Sequence, residues 1–400
     1  MKGVKRIYVI GTCDTKGEEL LYAAELINKA GAATAIVDVS TKPNLSLADV
    51  SSVEVAHCHP YGVSAVLGLS DRGQAVAAMA EALTRYILAR NDVGGILGMG
   101  GSGNSTIVTA AMRALPIGVP KLMVSTLASG NVAPFVGPSD IAMMHSVSDV
   151  AGLNAISRQV IGNAAHAVAG MFLNPIPKVE GGKLPVGLTM FGVTTTCVTQ
   201  VRQELEGNCE CFVFHATGVG GQCMEKLVDS GYLAALLDIT TTEVADYLFG
   251  GILPCTADRF GAVIRRKVPY VGSVGAVDMV NFGPRGTVPN RYSERNLHVH
   301  NSSVTLMRTT PAENTAIGAW IVERLNRMEG PVRFLLPLGG VSAIDAKGQV
   351  FYAPEADAAL FAAIRAGWKE APNRKLIEVD KHINSPEFAA AIVRAFREMV

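Results

Sequence analysis

Long apolar runs are missing from this 400-residue chain. Hydrophobic residues make up 49% of it and the mean hydropathy is +0.28. Yet Gly, Asn, Ser or Thr interrupts every apolar stretch before the ~18 residues that a membrane span needs. An excess of either charge is also missing. The 35 Lys and Arg balance 35 Asp and Glu, so the total carries no electrostatic footprint of a nucleic-acid-binding protein. The seven cysteines (Cys13, Cys58, Cys197, Cys209, Cys211, Cys223 and Cys255) are odd in number and show no CxxC spacing. That pattern fits reduced thiols in a cytoplasmic protein and excludes a disulfide framework. The start, MKGVKRIYVIG, is basic but too briefly apolar for a cleavable signal. The Walker P-loop, the GxSxG elbow and the HExxH helix are all absent.

What is present is apolar residue enough for two buried cores, with only 18% charged residues, which excludes an intrinsically disordered chain. Short β-branched runs alternate with helical spacing. RIYVIG is followed by a helix over 18–30, then by the strand TAIVDVS (34–40). Residues 41–68, with HCHPYG at 57–62, read as irregular. A helix over 71–89 leads to GGILGMGG, the third strand, and STIVTAAMRAL is the helix after it. KLMVST, DIAMMHS and a small-residue helix over 152–171 complete the first half. LNPIPKVEGGKLP (173–185), with three prolines and two glycines, breaks the pattern. The alternation then restarts with VGLTMFG, CFVFHAT, LAALLDIT, YVGSVGA, SVTLMR, RFLLPLGG and KLIEVD. A last helix follows the cap Ser385-Pro386-Glu387. The expected fold class is α/β, as two Rossmann-like doubly wound parallel-sheet domains, 1–175 and 184–400, facing a cleft.

Glycines and hydroxyls gather where the parallel strands end, the place where such sheets bind ligands. In GMGGSGNST, Gly98, Gly100, Gly101 and Gly103, with Ser102 among them, strip side chains away just before a helix whose first residues are Asn104, Ser105 and Thr106. Free backbone amides and the helix dipole there suit a phosphate. The GxGxxG spacing is a weak signal, because it follows the third strand and not the first. The bland account is a glycine turn that merely lets helix and strand pack. GTCDTKG adds Thr12, Cys13, Asp14, Thr15 and Lys16. Lys16 suits a phosphate oxygen, and Asp14 a magnesium ion held through water. Asp38, ending the second strand, is the candidate for a ribose hydroxyl. Ser125, Thr126, Gly130 and Asn131 line the next loop.

The second half repeats the arrangement with other residues. Thr195 and Thr196, then Gly218, Gly220 and Gly221 in HATGVGGQ, form its candidate substrate seat. His215, Asp238 and Glu243 are the candidate catalytic groups, each at a strand end or in a first helical turn. Helix capping is the simpler role for Thr240 and Thr241. Arg308 suits a bidentate clamp on a carboxylate or phosphate, and equally a structural ion pair. His298 and His300 alternate on one face of an extended segment, but no companion motif marks a metal site and no metal is assigned.

Three stretches, GTCDTKGEEL, GGILGMGGSGNSTIVTAAMRALPIGVPKLMVST and HNSSVTLMRTTPAEN, resemble the tomato mosaic virus resistance protein-like ATP-binding domain family of bacteria, plants and fungi. The resemblance covers essentially the whole chain. It implies an N-terminal ATP-binding subdomain, a second α/β subdomain and homodimers. Plant members fuse this region to a further barrel domain and bind a viral helicase domain, a property not carried over to this chain. Together the residues and the resemblance lead to an expectation of ATP with Mg, used by an enzyme on a small anionic metabolite. The alternatives are a nucleotide-responsive binding protein without turnover, and an enzyme that takes a dinucleotide such as NAD. Neither a nucleic acid nor a membrane is expected as a partner.

Overall fold

The computed structural model describes residues 4–42, 48–177 and 182–400. The chain divides into two compact units, Met1–Lys178 and Val179–Val400.

Among its described residues the first unit has five strands: β1 (Arg6–Gly11), β2 (Thr34–Asp38), β3 (Val93–Gly100), β4 (Lys121–Ser125) and β5 (Ala142–His145). Seven helices accompany them: α1 (Cys13–Lys29), α2 (Ser52–Ala56), α3 (Ser64–Leu67), α4 (Arg72–Leu88), α5 (Ser102–Ala114), α6 (Ala133–Val136) and α7 (Ala155–Leu173). The strands are parallel, in the order β2-β1-β3-β4-β5. Side-chain alternation explains the two layers of core. Ile7 and Val9 of β1 pack with Leu20 and Ile161 on one face, while Tyr8 and Ile10 pack with Met79 and Val108 on the other. Strand order reverses between β1 and β3, so the carboxyl ends of these two flank the crevice where doubly wound sheets take ligands.

The second unit repeats the plan. Its strands β6 (Leu184–Met190), β7 (Cys209–His215), β8 (Ala235–Thr240), β9 (Tyr270–Gly275), β13 (Val332–Pro337) and β14 (Arg374–Val379) form a parallel sheet ordered β14-β13-β9-β8-β6-β7. Helices α8 (Thr195–Leu205), α9 (Val219–Asp229), α10 (Glu243–Phe249), α11 (Gly261–Arg266), α12 (Pro311–Leu325), α13 (Pro354–Gly367) and α14 (Pro386–Arg397) pack around it. Leu236 and Phe334 belong to one core layer, Leu237 and Leu335 to the opposite one.

The expected fold class, two Rossmann-like parallel-sheet α/β domains, is observed. Three local expectations change. The first helix starts at Cys13 rather than near residue 18, and bends at Lys16, which has non-helical backbone angles. The stretch 41–68 holds α2 and α3, joined through His57–Gly62; residues 43–47 lie outside the described part. SVTLMR is not in the parallel sheet. It forms β12 (Val304–Arg308), central in an antiparallel ribbon with β10 (Met279–Phe282) and β11 (Leu297–Asn301). The connection from Asn301 to Val304 is far too short for a crossover, so β11 and β12 can pair only as a hairpin.

The last helix is capped as its sequence implies: the Ser385 hydroxyl accepts a hydrogen bond from the Phe388 amide at 3.1 Å. Ser385→Ala is expected to cost about 1 kcal/mol, and Ser385→Gly a few tenths. Urea unfolding checks this as a shifted midpoint with unchanged slope.

Candidate functional site

The β3–α5 junction is built from glycines with two different tasks. Gly98 is a packing glycine: a Cβ there would stand 2.6 Å from Val108 Cγ1 and 2.7 Å from Met123 Sδ. Gly100 has φ +147°, and its Cβ would meet Asn104 Cβ at 2.8 Å, so strand-to-helix turning requires it. Gly101 and Gly103 are different. A Cβ on Gly101 meets only Thr126 Oγ1 at 3.7 Å, and one on Gly103 meets Val76 at 3.6 Å and Arg72 at 3.8 Å. Packing does not demand glycine at either position.

Those two glycines border a cavity of about 460 Å³. Its walls include Thr12, Thr15, Lys16, Thr41, Arg72, Ser102, Asn104, Thr126 and Asp149. The glycine loop, the Thr12–Lys16 turn and Thr126 therefore converge, as their places at strand ends require. No side chain caps the N-terminus of α5. Asn104 is 6% exposed; its Nδ2 donates to Met99 O at 3.0 Å and to Thr12 Oγ1 at 3.3 Å, while its Oδ1 is buried without a partner. The Lys16 ammonium donates to the Val150 carbonyl. Arg72 was not apparent from the sequence. Its only signal is its place just after Asp71, the cap of α4, whose carboxylate accepts the Gln74 amide at 2.7 Å.

Other sequence candidates on this unit lie outside the cavity wall. Asp38 is fully buried. Its Oδ1 accepts from the Cys13 amide (3.0 Å), the Ser40 amide (2.9 Å) and the Ser40 hydroxyl (2.5 Å), so it caps α1, and its Oδ2 has no partner. Ser105 and Ser125 are buried and joined through their hydroxyls at 2.7 Å, tying α5 to β4. Asp14, Gly130 and Asn131 are exposed, and Asn131 accepts the Ala133 amide at 3.1 Å.

In the second unit, burial separates the candidates. Glu243 is fully buried and accepts from the Gly218 amide at 2.7 Å and the Gly221 amide at 3.1 Å. The helix N-terminus expected to hold an anionic substrate thus holds the protein's own carboxylate. Gly221 is glycine for that reason, since a Cβ would stand 2.1 Å from Glu243 Oε2. A Gly220 Cβ would collide with the His215 carbonyl at 1.7 Å. Glu243 belongs to a buried cluster around Arg259, unmarked in sequence, whose guanidinium reaches Glu225 (2.9 Å), Asp238 (2.8 Å) and Glu243 (3.1 Å). Thr189 and Tyr270 hydroxyls also donate to Asp238. Burial pushes the carboxyls of Glu225 and Glu243 up, and the surrounding carboxylates hold Arg259 firmly protonated.

Arg308 has the structural role. It donates to Phe351 O at 2.7 Å and pairs with Asp357 at 2.8 Å and Asp345 at 3.2 Å. Thr195, Thr196, His215 and His300 are exposed. His215 pairs in register with Met190, which puts it beside the strand leading into α8. Among the described residues, no group of three His, Cys, Asp or Glu side chains is placed to hold a metal ion.

Fold and site together define a two-domain α/β protein with an uncapped helix N-terminus that opens into a polar cavity at the switch point of its first sheet. The chain belongs to the Uncharacterised protein family (UPF0261), whose N-terminal domain matches residues 5–176 and whose C-terminal domain matches residues 183–400. A UPF0261 protein of Rhizobium meliloti (strain 1021) is 55% identical over 99% of both chains. The ToMV resistance protein Tm-1(GCR237) of Solanum lycopersicum is 42% identical over 98% of this chain and 56% of its own length. The family resemblance read from the three motifs is therefore borne out. A putative UDP-N-acetylglucosamine 2-epimerase from Listeria monocytogenes aligns at 12% identity with a TM-score of 0.21, over 97% of this chain and 94% of its own, too weak a likeness to carry an argument.

Two stability outcomes follow from this geometry. Gly98→Ala is expected to cost about 1–3 kcal/mol by overpacking, while Gly101→Ala stays within ~0.5 kcal/mol of the parent; denaturant unfolding of both variants checks the contrast. Arg259→Leu leaves three buried carboxylates without their cation and is expected to cost about 3–5 kcal/mol near pH 7.5. The folded Glu225 and Glu243 carboxyls bind protons more tightly than the unfolded ones, so the deficit shrinks as pH falls towards the unfolded carboxylate pKa. Melting curves of parent and variant at pH 7.5 and at pH 5.5 test both magnitude and sign.

Proposed function

We propose that the N-terminal domain binds an ATP-type nucleotide, with Mg, and that the protein is an enzyme using it on a small anionic metabolite. The observation that carries the reading is a contrast among three helix starts. The amides of α1 are capped by Asp38 and those of α9 by Glu243, whereas α5 has no side-chain cap and opens into a cavity lined by Lys16 and Arg72. Free amides and two cations at a helix N-terminus favour a phosphate chain. Thr12, Thr15, Gly101, Ser102, Gly103, Asn104 and Thr126 are the contacts nearest that seat.

The alternative is a dinucleotide such as NAD at the same seat. Asp38, the residue read as the ribose contact, is fully buried and spends Oδ1 on α1 and Ser40, so it is no ribose contact for either ligand and does not separate them. For the metabolite, the exposed Thr195, Thr196 and His215 at the carboxyl end of β6 and β7 are the groups on offer. The first amides of α9 and the Arg308 guanidinium are already engaged within the protein. None of the seven cysteines is in a disulfide, which suits the cytoplasm. No helix of the described residues is long and apolar enough to cross a membrane. Phe212 and Val213, exposed on the edge strand β7, suit a homodimer contact.

Gly101→Asp puts a carboxylate where the phosphates would lie, without a packing clash. Calorimetry is expected to show ATP binding by the parent and at least a ~100-fold loss in this variant, with the melting temperature kept. Parent protein that binds NAD but not millimolar ATP overturns the reading. Turnover of ATP that a metabolite accelerates, found by thermal-shift screening with Mg-ATP, identifies an enzyme; nucleotide binding without turnover identifies a sensor.

A further inference from the structure

The segment 338–353, between β13 and α13, closes over three buried carboxyls and one guanidinium in the second domain. Asp345 lies in the segment, Asp357 in the first turn of α13, Asp278 between β9 and β10, and Arg308 ends β12. Asp278 and Asp345 are fully buried, and Asp357 and Arg308 nearly so. Nη2 of Arg308 meets two carboxyls at once, Asp357 at 2.8 Å and Asp345 at 3.2 Å. Those two carboxyls also lie within hydrogen-bonding reach of each other. Asp345 Oδ2 accepts the Val341 amide at 3.0 Å. Asp278 Oδ2 accepts the Ser342 hydroxyl at 2.8 Å, and its Oδ1 has no partner. Among the described residues no second cation pairs with any of the three. The other charged or titratable groups nearby are engaged elsewhere. Arg295 pairs with Glu313 and donates to the Arg308 carbonyl at 2.8 Å. Both ring nitrogens of His382 bond backbone, at the Ser342 carbonyl and the Asn384 amide.

Charge counting sets the protonation state of this group. Three ionised carboxylates around one guanidinium leave uncompensated negative charge in a site that excludes water, which is costly. Carboxyls that face each other remove part of that cost by keeping a proton between them. Burial pushes Asp357 up to about 7, and Asp345 and Asp278 up to about 6. The two walls that meet at the pair differ in strength. Helix α13 is anchored in the main core through Leu360, Phe361 and Ile364. The segment rests chiefly on Val341 and Phe351, and its residues 347–350 are exposed. Repulsion between the carboxylates therefore moves the segment and not the helix. The segment also braces the turn that leads to Thr195 and Thr196. The Ala343 amide donates to the Val193 carbonyl at 2.9 Å, and Phe351 and Ile344 belong to one apolar cluster with Phe191 and Val193. We propose that Asp345 and Asp357 hold one proton between them as a clasp, which keeps the segment 338–353 shut against α13 and lets it open when the proton leaves. The clasp is independent of which ligand either domain takes.

The closed pair binds its proton more tightly than the same carboxyls in water. Its contribution is therefore full below the ordinary aspartate range and is lost as pH rises through about 7. Hydrogen exchange of the full chain, read by mass spectrometry at pH 5.5 and pH 8.0 and corrected for the intrinsic rate, tests the clasp. Protection within 338–353 is expected to fall about 10- to 30-fold at the higher pH, while β13 and α12 keep theirs. Asp357→Asn keeps the shape of the protonated partner without a titrating group, and its protection is expected to stay within about threefold over the same interval. Asp345→Asn is expected to behave alike, and serves should the first variant not fold. Equal protection of the parent segment at both pH values overturns the proposal. So does a loss spread evenly over the domain, or one that persists in a folded variant.

Discussion

A helix that follows a parallel strand begins with backbone amides that have no partner within the helix, and each must find one in the protein, in water or in a ligand. That requirement organises both domains. Asp38 meets it for α1 from the neighbouring strand, and in doing so becomes fully buried. Glu243 meets it for α9, and the cost of burying its charge is offset by Arg259, which in turn gathers Glu225 and Asp238. Gly221 is what allows that carboxylate to come so close, while Gly218 and Gly220 make room for the Pro254 and His215 carbonyls. At α5 no side chain caps the first turn, and the helix opens into a cavity lined by hydroxyls, Asn104, Lys16, Arg72 and Asp149.

The same requirement explains why glycine-rich strand ends are ambiguous signals. HATGVGG and GMGGSG look alike as sequence, and both precede a helix. One encloses an internal anion and the other faces a cavity. What separates them is a residue more than twenty positions downstream, Glu243, whose approach no local pattern announces. Side-chain contacts at the individual glycines, not their number, distinguish packing from recognition.

The strand–helix alternation was legible along nearly the whole chain, because buried parallel strands and one-faced helices have distinct apolar periods. The hairpin at 297–308 was not assigned to its own sheet, since a short β-branched run reads the same in a parallel sheet and in an antiparallel ribbon. The glycine loop and the Thr12–Lys16 turn could be placed together, because strand ends converge in this architecture. Asp38 was visible as a strand-end carboxylate, but its capping of Cys13 and Ser40 depends on the fold between neighbouring strands. Arg72 and Arg259 went unmarked: Arg259 pairs with carboxylates distant in sequence, and Arg72, a single arginine after a turn, has no pattern of its own.

The order β2-β1-β3-β4-β5 also bears on how the domain is made. Strand β1 is interior, yet its second neighbour, β3, begins at Val93 and is synthesised long after β1 ends at Gly11. At translation rates of about 5–20 residues per second, one hydrogen-bonding edge of RIYVIG waits roughly 4–16 s for its partner. For that interval the nascent chain presents an apolar strand edge to its surroundings. Efficient biogenesis therefore depends on whatever shields this edge at the ribosome, a demand set by topology and absent from the finished domain.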